Sequence, residues 1–349
     1  MICLICIWRP GPNGRSGGGP GWRWRRTAST VTPRRAATSG GEVIASESLW
    51  EGRGRRETVR VHYGLGLFLA FLAEVYVPDA PGRHPAITWN QFGAGAFDCC
   101  PYEQAVAERG YMIARFDREQ VAHDERPGTR AVYDAYPGYD WGAPGMGLGA
   151  VPPGGLPATR EDADPARLCC TGFSRGGKVA LATGIFDERF SICAPICSGA
   201  GGGGCFRYLG DREGFCQDVT KVESLGRVGS VFPHWWTKGF ARWQPRPDPT
   251  QMGLEQDFPF DAHTLKALIA PRNLFTSDGI DDAWSNPRGS ALTWRASLPA
   301  FEVLGGRSTA RFRPGGHAFD ESDWLALLDF CDEVWYGRDT GRDWDTCPF

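Results

Sequence analysis

Residues 172–178 read Gly-Phe-Ser-Arg-Gly-Gly-Lys, which places Ser174 in a G-x-S-x-G spacing between Gly172 and Gly176. A serine hydroxyl is a weak nucleophile until a neighbouring base takes its proton. The two glycines supply the geometry for that chemistry, because only small residues let a strand and a helix close around a strained turn with the hydroxyl exposed. The flanks suit such a turn: Leu168-Cys-Cys-Thr is a short apolar strand pattern, and Lys178-Val-Ala-Leu-Ala-Thr is a run for a helix. A helix that starts directly after Ser174 also turns its first N–H groups towards a developing oxyanion. In a chain with 47 glycines the spacing could arise by chance, but strand, motif and helix in register argue for a nucleophile.

A nucleophilic serine of this kind needs an acid and a histidine, which follow it in the chain in that order. Three histidines follow Ser174. His234 sits in Phe-Pro-His-Trp-Trp, and His263 falls in the first turn of an expected helix. His317 comes after the strand 310–312 and the flexible Pro314-Gly-Gly, and it precedes the final helix. A loop after the last strand lets an imidazole reach back to the serine, so His317 is the expected base. The strand 274–277 ends in Asp278-Gly-Ile-Asp281-Asp282-Ala-Trp284. Its end belongs to the strand edge where chemistry gathers in open α/β sheets. Asp282 or Asp281 is therefore the expected acid, and spacing alone does not separate them.

The elements that must carry these residues alternate. Strands are expected at 56–63, 73–77, 86–89, 111–116, 168–171, 192–195, 274–277 and 310–312. Helices are expected at 102–109, 175–184, 289–304 and 321–335. This order predicts an α/β fold: a mostly parallel sheet covered by helices on both faces, as a three-layer sandwich. Glycine and proline are so frequent over 137–160 that no regular helix is expected there.

Residues 1–40 carry seven arginines and no acidic residue, and are rich in Gly, Pro, Ser and Thr. Such a segment buries little apolar surface to offset its ordering entropy, so it reads as a disordered basic leader ahead of a single domain over 41–349. The whole chain has 38 basic and 41 acidic side chains and a net charge of −3. That balance offers no general attraction to nucleic acid. Neither Ile2–Trp8 nor Leu65–Val77 has the pattern of a signal peptide or the length of a membrane span. Twelve cysteines include two adjacent pairs and a lone Cys3-Leu-Ile-Cys6 inside an apolar run, with no second Cys pair or His at ligand spacing, so neither a zinc site nor a cofactor is expected.

The run Gly172-Phe-Ser174-Arg175-Gly-Gly-Lys178 resembles the G-x-S-R-x-G-K elbow of the glucuronoyl esterases, carbohydrate esterase family 15. Further runs resemble that family over about residues 45–337. They include Ser198-Gly-Ala-Gly-Gly202, Phe232-Pro-His-Trp235, Ala267-Leu-Ile-Ala-Pro-Arg272, Asp282-Ala-Trp284-Ser-Asn-Pro-Arg-Gly289 and Gly316-His317. The resemblance implies an α/β-hydrolase fold and a serine esterase acting on esters of glucuronic acid or its 4-O-methyl ether, as in lignin–carbohydrate bonds. It implies that Arg175 helps hold the oxyanion, and that Lys178, Glu223 and Trp284 contact the sugar. It also implies a carbohydrate ester as the partner, acted on by a monomer. Two departures stand out. Cys197 occupies the position before Ser-Gly-x-Gly-Gly where many members have an acid, so Asp282 must serve, as in bacterial relatives. Phe173 and Ala318 replace the cysteines that bridge serine and histidine loops in some members. Competing readings are a general carboxylesterase or acetyl esterase of the same fold, and a carbohydrate-binding relative that has lost catalysis.

Overall fold

The computed structural model describes residues 41–63, 69–91, 102–121, 155–209, 221–232, 235, 258–344 and 346–349. The leader 1–40, His234 and residues 137–154 of the Gly/Pro-rich stretch lie outside these residues. The strands are β1 (Glu42–Leu49), β2 (Gly54–Tyr63), β3 (Leu69–Pro78), β4 (His84–Gln91), β5 (Met112–Asp117), β6 (Ala163–Phe173), β7 (Ile192–Ile196), β8 (Asn273–Gly279) and β9 (Ser308–Arg313). They form one sheet in the order β1-β2-β3-β5-β4-β6-β7-β8-β9. The β1–β2, β2–β3 and β3–β5 pairs are antiparallel. Every pair from β5 to β9 is parallel. Parallel strands end at a common edge, and β6, β7, β8 and β9 therefore deliver the residues that follow them to one side of the molecule.

Helices α1 (Tyr102–Glu108), α2 (Arg175–Phe186), α3 (Leu225–Val231), α4 (Ala262–Ala267), α5 (Pro287–Leu304) and α6 (Glu321–Tyr336) accompany the sheet. Successive strand residues point to opposite faces, and the core divides accordingly. Ala86, Met112, Leu168 and Cys170 pack on one face with Leu181 of α2, Leu265 of α4 and Phe301 of α5. Ile87, Ile113 and Cys169 pack on the other with Val106 of α1 and Trp324, Leu327 and Phe330 of α6. These are the three layers expected for a sandwich.

Departures from the sequence expectations include β1, α3 and the described end of the Gly/Pro-rich stretch, besides the short turns Trp50–Gly52 and Arg118–Val121. Strand β1 was not anticipated: seven of its eight side chains are exposed, and Glu-Val-Ile-Ala-Ser-Glu-Ser-Leu has no period-two alternation. Its pairing to β2 by backbone hydrogen bonds leaves no signature in side-chain pattern. Helix α3 was also missed, because Gly226 and Gly229 weaken its propensity; the Ser224 side chain caps it by accepting from Arg227 N–H. The expectation of no helix over 137–160 is corrected at its described end, where Gly155–Ala158 forms a single helical turn. No helix among the described residues is long and apolar enough to cross a membrane.

Candidate active site

Ser174 links the last residue of β6 to the first of α2 with φ 55° and ψ −117°, a backbone region that L-residues rarely occupy. Asn90 at the end of β4 secures this turn, its amide donating to Thr171 O at 3.1 Å and Gly176 O at 3.0 Å. The closeness explains the glycines: a Cβ on Gly172 would lie 2.4 Å from both Asn90 Nδ2 and Gly176 O. Ser174 N–H also donates to Ile196 O on β7 at 2.9 Å. The nucleophile position is thus built by three neighbouring strands.

His317 lies in the loop between β9 and α6, with a third of its side chain open to solvent. Its Nε2 stands 3.0 Å from Ser174 Oγ and its Nδ1 2.6 Å from Asp282 Oδ2. A carboxylate can only accept, so the ring carries its proton on Nδ1 and offers the Nε2 lone pair to the serine hydroxyl. Asp282 is buried. Burial would raise its pKa, but hydrogen bonds from His317 and Ser285 outweigh it and hold the carboxyl below its ordinary value. Ser285 donates twice, from Oγ to Oδ2 at 2.5 Å and from N–H to Oδ1 at 3.1 Å.

The geometry separates the two aspartates that spacing could not. Asp281 is exposed and accepts from Gly315 N–H at 3.1 Å, while its own N–H donates to Gly315 O at 3.0 Å. It fastens the histidine loop and does not reach the imidazole ring's Asp282 contact. Arg313 at the end of β9 fastens the same loop by donating to Gly316 O at 3.1 Å and Ala318 O at 2.7 Å, on either side of His317. The fully buried Asp323 of α6 accepts from Arg313 Nε at 2.8 Å and fixes the guanidinium. His263 lies in the first turn of α4, as expected, and meets Thr264 Oγ1 at 3.4 Å. It is not brought to Ser174.

Lys178 lies in the first turn of α2, and its N–H donates to Ser174 O at 3.2 Å. It is buried, and its Nζ donates to Ser198 O at 2.7 Å and Glu223 Oε2 at 2.8 Å. A solvated helix lysine is therefore excluded. Gly199, at φ 53°, leaves room for Glu223, whose Oε2 would stand 2.1 Å from an added Cβ. Glu223 N–H donates to Trp284 O at 2.9 Å, which ties these three residues to the acid loop. Trp284 is half-buried, with the Arg227 guanidinium 4.7 Å from its ring centroid. Arg175 opens α2, its guanidinium 5.5 Å from the Phe232 ring centroid.

Cys197 directly follows β7 with a positive φ of 43°. Its thiol is buried and donates to Ala318 O at 3.4 Å. Burial and the nearby Asp278, Asp282 and Asp323 carboxylates push it well above the usual thiol range. The sequence reading missed Asn90, Ser285, Arg313 and Asp323. Ser285 falls inside a run already quoted, but no spacing rule marks it as the partner of a residue three positions earlier.

The arrangement provides a hydroxyl, an imidazole and a buried carboxylate in hydrogen-bonded series, beside a helix N-terminus. It is suited to acyl transfer through a covalent intermediate. A family profile for fungal glucuronyl esterases matches residues 68–305. The chain is 26% identical over 308 residues to a 4-O-methyl-glucuronoyl methylesterase of Schizophyllum commune, a match over 83% of this chain and 72% of that protein. It is 29% identical over 191 residues to carbohydrate esterase MZ0003 of an unknown prokaryotic organism, covering 50% of this chain but 40% of that protein's length. Among solved structures, a glucuronoyl esterase of carbohydrate esterase family 15 from Caldicellulosiruptor kristjansonii superposes with a TM-score of 0.67 at 28% identity, over 88% of this chain and 82% of that one.

Proposed function

The chain belongs to the glucuronoyl esterase family, and from that premise we propose that it hydrolyses esters in which glucuronic acid, or its 4-O-methyl ether, supplies the acyl group. The observation that carries this reading is the unbroken path from Ser174 Oγ through His317 to Asp282, with Lys178 and Glu223 paired one helical turn from the nucleophile. In this mechanism His317 Nε2 takes the hydroxyl proton as Ser174 attacks the ester carbonyl. Asp282 keeps the imidazole in the reactive tautomer and stabilises the imidazolium. The first N–H groups of α2 and the Arg175 guanidinium stabilise the tetrahedral oxyanion, with charge assisting the hydrogen bond. His317 then passes its proton to the departing alcohol. Water, activated by the same imidazole, releases the uronate from the serine.

Lys178 and Glu223 offer a cation and an anion to the sugar hydroxyls, and Trp284 an apolar ring face. The reading further assigns catalysis to residues 41–349 acting as a monomer, with residues 1–40 dispensable. A sugar-binding relative without catalysis would need no activated hydroxyl, whereas the Ser174–His317 contact provides one. Exposure to a serine-directed phosphonate followed by peptide mass mapping tests this point. Stoichiometric labelling of Ser174, abolished by Ser174→Ala, supports the hydrolase; an unlabelled Ser174 in folded protein removes it.

A further inference from the structure

No local Cys/His spacing in the sequence marks a metal site, yet the fold gathers one donor of each kind beside the nucleophile. The thiol of Cys197, a carboxylate oxygen of Asp282 and a ring nitrogen of His317 all lie within 4.8 Å of one another. They come from the ends of β7, β8 and β9, three adjacent parallel strands. We propose that Cys197, Asp282 and His317 form a binding site for a thiophilic divalent cation such as Zn2+ or Cd2+, and that occupancy arrests the hydrolase.

The donor set is the one such ions select: thiolate, imidazole and carboxylate, at bond lengths of about 2.0–2.3 Å. A tetrahedral ion holds its ligands about 3.3–3.8 Å apart. Accommodating an ion needs side-chain shifts on the order of 1 Å, the thiol moving in and, for binding at Nδ1, Asp282 Oδ2 and His317 Nδ1 parting from their present 2.6 Å, with the fourth position facing the open side of His317. The Cys197 thiol already lies against the histidine loop, donating to Ala318 O at 3.4 Å. Asp323, the buried carboxylate behind that loop, is neutralised by Arg311 and Arg313, so Asp282 is the carboxylate left to the site.

Binding would release the thiol proton and place the metal on the imidazole. At Nδ1 the ion would displace the proton shared with Asp282, leaving the neutral ring protonated at Nε2 and unable to accept from Ser174. At Nε2 it would occupy the lone pair that serves as the base. Either mode stops proton transfer without altering the fold. Members of the family with a carboxylate at the Cys197 position would lack the sulfur ligand, so sensitivity to thiophilic ions is a property of this chain's own substitution.

The inference uses the proposed esterase activity for one of its two readouts. Metal-free full-length protein is titrated with Cd2+ while thiolate-to-cadmium absorbance in the near ultraviolet and hydrolysis of benzyl glucuronate are followed together. The expected result is one absorbing site per chain, loss of activity in step with it, and recovery on adding EDTA. Cys197→Ser should retain activity in EDTA, lose the absorbance, and require at least about tenfold more Cd2+ for inhibition, since even outer-shell partners contribute that much to affinity. Asp282→Asn keeps the thiol and provides a second variant should the serine variant fail to fold: it should show the absorbance at a higher Cd2+ concentration. Equal absorbance and inhibition in the wild type and Cys197→Ser, or unchanged affinity in Asp282→Asn, overturns the site. Absence of hydrolysis by metal-free wild type counts against the proposed function, while the absorbance still decides the metal site.

Discussion

At the scale of single residues, neighbouring Asp281 and Asp282 have different work because of the turn that carries them. Asp282 is turned inward to the imidazole and Ser285, whereas Asp281 holds the backbone of Gly315. Asp282→Asn should therefore lower kcat by up to about 10⁴, as an amide favours the wrong imidazole tautomer, with little change in KM. Asp281→Asn should cost far less. Steady-state kinetics of both variants on one ester checks this, and the reverse ranking would transfer the role to Asp281. A pH effect follows from the same carboxyl. Its folded pKa lies below the ordinary value of 3.8. The resulting stabilisation is present above the ordinary value and disappears as pH falls through the depressed one. Asp282→Asn does not titrate, so the stability gap between wild type and variant should narrow when the pH drops from 7 to below about 4. Urea midpoints at the two pH values measure it; a constant or wider gap contradicts the assignment.

Elements set what could be read in advance. Gly172, Ser174 and Gly176 were legible because an elbow needs local residue types at fixed spacing, and the structure shows Asn90 and Gly176 O crowding Gly172. His317 stood out because its loop follows the last strand. By contrast, Asn90, Arg313 and Asp323 act through contacts between separate elements, for which the chain provides no local pattern. Strand β1 was illegible for another reason: with exposed side chains on both faces it has no apolar period. The elbow also predicts its own sensitivity. Gly172→Ala should lower kcat and destabilise the protein by about 1–3 kcal/mol, because the added methyl group has nowhere to go. Kinetics together with chemical denaturation measures both effects, and a fully active, equally stable variant would show that the turn relaxes.

For the molecule as a whole, one sheet runs from β1 to β9 and brings the ends of β6, β8 and β9 to a single edge. That topology explains how His317, 143 positions further along the chain, meets Ser174. The fold class was legible from strand–helix alternation, but the alternation does not specify an acyl group; Lys178, Glu223 and Trp284 were singled out by family resemblance. Beyond Trp8 the leader is dominated by Gly, Pro, Ser, Thr and Arg, so deleting residues 1–40 should leave kcat/KM and Tm nearly unchanged; a large fall in Tm would show that it packs on the rest of the protein. The central claim is that the site recognises a uronate acyl group and cleaves its ester through Ser174. It is tested most directly by the ratio of kcat/KM for benzyl glucuronate to that for benzyl acetate, with Ser174→Ala as background. A ratio well above one that vanishes into background in Ser174→Ala is the predicted result, while a ratio near or below one, or turnover that survives the substitution, contradicts the claim.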